Sequence, residues 1–132
     1  MFRNRFRFAL ALALFFSTYA LSHAEVFEGF DSAWSAKDSQ FQYAYAVFHL
    51  IDWRQTRYIA KHPDEFHERN PLLGRSPDTG EVDRFFLLTG LMHYGIARTL
   101  APEWRSGFQQ ITLSLKVGVV GNNYQLGVKM GF

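Results

Sequence analysis

A chain of 132 residues without cysteine is long enough for one small domain and has no disulfide to staple it. Fourteen Lys and Arg face twelve Asp and Glu for a formal charge of +2, but Arg3, Arg5 and Arg7 place the excess at the N-terminus. Beyond them eleven basic residues meet twelve acidic ones, so the rest is near neutral and no nucleic-acid partner is expected.

Residues 1–24 read as a secretory signal. The three arginines stand without an acid, Phe8 to Leu21 is almost wholly apolar, and Ser22-His23-Ala24 offers small residues where a signal peptidase cuts. The alternative is an uncleaved anchor, although the apolar run is short for a span. Residues 25–40 are polar and mixed and read as a mobile lead-in, with Phe27, Phe30 and Trp34 free to dock. The 17% aromatic content of the chain also suits an envelope protein, because amphipathic rings favour bilayer interfaces and partner contacts.

Residues 41–61 contain no Gly or Pro and predict a helix. At 100° per residue, Tyr45, Phe48, His49, Asp52, Gln55, Thr56 and Ile59 share one side. Tyr43, Leu50, Arg54, Arg57 and Lys61 fall opposite. His62-Pro63 stops the helix, and a turn-rich connector follows through Asn70-Pro71 and Ser76-Pro77. His62, Glu65, His67 and Glu68 are its ligand-type residues, but their spacing fits no metal motif. A solvated charged loop is expected, with no metal and no cofactor.

Residues 82–101 predict a second helix, apolar nearly all round apart from Arg84, His93 and Arg98, and closed by Pro102. Its roughly 30 Å would match a hydrocarbon core. The last segment, 109–132, reads two ways: a third helix, or a β-hairpin turning at Asn122-Asn123. The period-two alternation of Ile111 to Val120 and of Tyr124 to Phe132 favours the hairpin. Phe132 after alternating residues also resembles the end of an outer-membrane strand, but one hairpin cannot close a barrel.

The whole thus reads as a mainly α, membrane-associated domain over 41–132. Its chemistry gathers in a polar seam of His49, Asp52, Gln55 and Thr56, joined by Glu68 and Asn70 from the connector and His93 from the second helix. A buried carboxylate needs donors, and its own helix cannot surround it. The amide and free N–H groups of the Asn70-Pro71 turn are the nearest in sequence able to supply them. No Gly-x-Ser-x-Gly elbow and no phosphate-cradling glycine loop is present, so no catalytic residue is named. Arg54, Arg57, Lys61, Arg69, Arg75 and Arg84 all lie between the two apolar segments, which by the positive-inside rule puts the connector in the cytoplasm.

Asp52-x-x-Gln55-Thr56 followed by Glu68-x-Asn70-Pro71 resembles small uncharacterised bacterial and phage-encoded membrane proteins that share this helix and turn. The likeness covers Asp52 to Gly74 and loosely the next helix. It implies a helical, membrane-associated fold and no activity. The expected role is therefore an exported, non-enzymatic accessory or interaction protein of the bacterial envelope, at the inner membrane rather than the outer membrane or periplasm. It would modulate a membrane complex or a phage–host surface, with a membrane, an envelope protein or a second copy as partner. The rival is a membrane-embedded enzyme or proton-coupled element built on Asp52 and His93.

Overall fold

The computed structural model describes residues 32–130, so the signal at 1–24, Phe27, Phe30 and Phe132 lie outside the described residues. Three helices follow one another: α1 (Ala36–Lys61), α2 (Thr79–Thr99) and α3 (Pro102–Gln125). The fold is mainly α. Helix α1 packs most extensively on α3 and also on α2, while α2 and α3 meet over a smaller area.

Helix α1 starts at Ala36 rather than Phe41, because Ser35 closes a reciprocal cap with Asp38. The Ser35 hydroxyl accepts the Asp38 N–H at 3.0 Å, and the Asp38 carboxylate accepts the Ser35 N–H at 3.0 Å. This satisfies donors that the first helical turn leaves open and brings 36–40 out of the lead-in into the helix. The other end stops at His62, whose Nδ1–H donates to the Tyr58 carbonyl at 2.8 Å, with Pro63 next. Asp78 and Glu81 cap α2 in the same reciprocal way. Only Leu100 and Ala101 separate α2 from α3, whose first residue, Pro102, needs no N–H there.

The hairpin expected at the C-terminus is absent: residues 102–125 are one helix, and Asn122-Asn123 lies inside it. The reason is visible in what α3 turns inward. Arg105, Gln109, Thr112 and Lys116 recur at helical spacing, and each meets a partner on α1 or α2. The apolar residues that alternate in sequence stay outside, with Ile111 at 65% and Leu115 at 66% exposure. Pattern reading assumes that the apolar stripe faces the core. Here the polar stripe does. Gly127, at φ 80°, then ends the helix in the left-handed region that glycine adopts without strain.

An apolar core of Leu73, Val82 and Phe86, backed by Trp53, Ala60 and Phe85, joins α1, α2 and the connector. Ile59, Ala97, Leu100, Ala101 and Val128 are buried beyond it, and polar groups share the rest of the interior. Arg105 and Gln109 are fully buried. Arg105 donates to the Ala97 carbonyl at 2.8 Å, the Leu100 carbonyl at 3.0 Å and the Ser32 hydroxyl at 2.7 Å, and lies 3.5 Å from Asp38. Gln109 donates to the Asp38 carbonyl at 3.1 Å. Together these tie the start of α1 to the α2–α3 corner. Among the described residues no helix is long and apolar enough to cross a membrane.

Candidate functional site

Of the side of α1 expected to face inward, Tyr45, Asp52, Gln55, Thr56 and Ile59 are buried, while Phe48 and His49 are half-buried. What they meet differs from the expectation. Asp52 is paired with Lys116 of α3, carboxylate to Nζ at 2.5 Å, and not with the Asn70-Pro71 turn. Asn70 spends its side-chain oxygen on the Leu72 N–H at 3.0 Å, an Asx-turn that shapes the connector locally. The donor for Asp52 was hidden because Lys116 reads as a strand residue in the period-two pattern and becomes the opposite face once α3 is a helix.

Gln55 extends the same interface. Its amide donates to the Val120 carbonyl at 3.3 Å and its oxygen accepts from Asn123 at 3.2 Å. Lys116 also sits 4.9 Å from the Phe86 ring centroid, so the ring face adds to the stabilisation of its charge. A second branch runs towards α2. Tyr45 stacks on His93 with centroids 3.4 Å apart and planes 5° from parallel, and it also stacks on His49 at 5.3 Å. The His49 Nε2–H donates to the Phe86 carbonyl at 2.9 Å, leaving Nδ1 to accept from the Tyr45 hydroxyl at 3.5 Å. Because the Thr112 hydroxyl donates to the Phe108 carbonyl, its oxygen accepts from His93 Nε2–H at 2.8 Å. His93 Nδ1 is then a bare acceptor, buried without a hydrogen-bond partner. Among the described residues no hydrogen bond joins His93 to Asp52.

Glu68 reaches the seam from the connector. One carboxylate oxygen accepts the Asn70 N–H at 2.7 Å, and the other, Oε2, is buried with no hydrogen-bond partner. Burial pushes the Glu68 carboxyl above its usual range against the opposing pull of the Asn70 and Arg69 N–H groups, and the negative charge of Asp52 adds to the push. Asp52, Glu68 and Lys116 share a cleft of about 800 Å³ between α1, α3 and the 66–73 segment. Asn70 and Pro71 line the same cleft, so the turn closes the space beside Asp52 without bonding to it. Its other walls are mainly apolar, among them Phe86, Leu115, Val119, Leu126 and Val128.

The histidine-rich part of the connector stays apart. His62 is taken up by Tyr58, Glu65 and His67 are exposed, and only Glu68 of that group turns to the cleft. Among the described residues no three His, Asp or Glu side chains are placed to hold a metal ion. The site therefore offers a neutralised ion pair, an extra carboxylate and apolar walls. Lys116, Asp38 and Arg105 belong to the polar interior as much as the residues read from sequence do. For Arg105 and Lys116 the signal was the helical spacing of polar residues along 105–116, and for Asp38 its place three residues after Ser35. Comparisons with protein-family models, curated proteins and solved structures find no match to this chain.

Proposed function

We propose that this is an exported, non-enzymatic accessory protein of the bacterial envelope, held at a membrane by the outer faces of its helices. One observation carries the reading: polar and charged groups are enclosed while large apolar side chains on all three helices face outward. Arg105 and Gln109 are fully enclosed, whereas Leu87, Leu88, Leu91 and Met92 of α2 are 59–64% exposed. Tyr43, Val47 and Leu50 on α1 and Ile111 and Leu115 on α3 continue the apolar exterior. At about 25 cal/mol per Å² such a surface is costly in water, and large apolar patches mark partner or membrane contacts. Lipid removes that cost. It also explains why no single helix is apolar throughout, since polar groups that satisfy one another inside a bundle need no water.

The likeness of Asp52-x-x-Gln55-Thr56 and Glu68-x-Asn70-Pro71 to small bacterial and phage-encoded membrane proteins agrees with this reading. On this account the basic connector faces the cytoplasm at the inner membrane, and the bundle modulates a larger membrane complex or, in a phage setting, the host surface. Fractionation of the tagged full chain followed by a carbonate wash tests the proposal. Retention in the membrane pellet is expected, and complete release into the periplasm would overturn it.

A second reading, a proton-coupled element, has the bare Nδ1 of buried His93 in its favour. Against it, Asp52 is neutralised by Lys116 and does not bond to His93. Exchanging the pair, Asp52→Lys with Lys116→Asp, separates the two. A packing seam regains its abundance in the exchange variant, whereas proton chemistry specific to Asp52 does not recover.

A further inference from the structure

The cleft beside the Asp52–Lys116 pair holds an imbalance that the fold leaves open. Two carboxylates, Asp52 and Glu68, line it with one partly buried ammonium, and that ammonium is committed to Asp52 at 2.5 Å. The Glu68 carboxylate takes the backbone N–H groups of Asn70 and Arg69, while its Oε2 is enclosed with no hydrogen-bond partner of its own. Arg69 and His67 also line the cleft, but both are exposed and neither side chain bonds to Glu68 among the described residues. A buried acceptor without a donor is costly, and a charged acceptor more so. Natural structures resolve such groups with water, an ion or a ligand.

The surroundings choose between these. Leu115, Val119, Leu126 and Val128 give the cleft an apolar wall, and its volume of about 800 Å³ lies in the range of about 300–1,000 Å³ common for small-molecule sites. A hydrated ion would leave that wall wet. A molecule with an apolar body and a donating head satisfies both halves of the site.

We propose that the cleft binds a single-chain amphiphile with a primary amine head, the ammonium donating to Glu68 Oε2 and the alkyl chain lying along Leu115, Val119 and Leu126. A cationic head restores charge balance among Asp52, Glu68 and Lys116, and a charge-assisted hydrogen bond is about twice as strong as a neutral one. An alkyl carboxylate would set a third negative charge beside two others. The inference rests on the cleft and not on how the bundle is held in the envelope.

Photolabelling of the full chain in phosphatidylcholine vesicles tests it, using an alkyl amine with a diazirine in its chain and the matching alkyl carboxylate. The amine should label Val119 and Leu126, be displaced by unlabelled decylamine, and outcompete the carboxylate about tenfold. Glu68→Gln should reduce amine labelling by a similar factor while the chain stays folded by circular dichroism. Val119→Trp, which fills the cleft from an exposed position, should block labelling with Glu68 intact. Equal labelling by the carboxylate, amine labelling confined to Leu87 and Leu91 on the outer face, or indifference to Glu68→Gln would each overturn the proposal. If the chain leaves the vesicles, the same labelling is read in buffer, so a failure of membrane attachment is distinguished from a failure of the site.

Discussion

Lys116 and Asp52 show at residue scale how this interior works. Their side chains are 18% and 8% exposed, so each charge depends on the other more than on water. Removing one partner leaves a buried charge, which typically costs 3–5 kcal/mol. Lys116→Ala is therefore expected to lower the melting temperature sharply. Lys116→Met combined with Asp52→Leu should recover most of that loss, because it removes both charges at similar volume. Thermal melts of the parent, Lys116→Ala and the double variant check it, and a double variant no more stable than Lys116→Ala would mean that the pair is not coupled. Glu68 makes a pH-dependent prediction. Its folded carboxyl titrates above its unfolded value, so the folded chain holds the proton more tightly and stability from this group is full at low pH. That contribution is lost as pH rises from the unfolded value through the raised one. Glu68→Gln cannot ionise, so its melting temperature should exceed that of the parent at pH 7 and approach it near pH 4. A gap independent of pH would show that Glu68 is not held in this environment.

At the scale of elements, α1 was legible and α3 was not, and the contrast has a physical cause. Along α1 the groups that pack inward, from Tyr45 to Ile59, are distinct from the outward Tyr43, Leu50 and Lys61, so helical spacing stood out. Along α3 the inward residues are Arg105, Gln109, Thr112 and Lys116, and apolar periodicity followed the exposed Ile111, Leu115, Val117 and Val119 instead. Half of the seam followed from sequence for the same reason. Its α1 members were found, but the partners from α3 were invisible while that segment read as strands. The helix makes its own test. A methyl group at Gly118 or Gly121 would meet nothing within 4 Å. Replacing either by Ala should then stabilise α3 by about 0.5–1 kcal/mol, read as a higher melting temperature. Gly90 behaves differently. A methyl there would lie 3.1 Å from His49 Nε2, which bonds to Phe86, so Gly90→Ala should destabilise the α1–α2 contact.

At the scale of the whole molecule, a small apolar core of Leu73, Val82 and Phe86 coexists with enclosed charge and with an apolar exterior that water does not favour. The enclosed groups at the start of α3 are Arg105 and Gln109, held by Asp38, Ser32 and the carbonyls of the α2–α3 corner. The outside of α2 is Leu87, Leu88, Leu91 and Met92. A bundle of this kind has a weak hydrophobic drive to close in water and relies on its polar contacts for a unique packing. It should therefore need an apolar medium to stay monodisperse. Carbene labelling from a small apolar diazirine dissolved in the bilayer tests this most directly, with the full chain expressed in bacterial membranes. The account predicts label on Leu87, Leu88, Leu91 and Ile111 and none on Arg105, Gln109 or Asp52. Recovery of the chain from the aqueous fraction, folded and without label on those leucines, would contradict it.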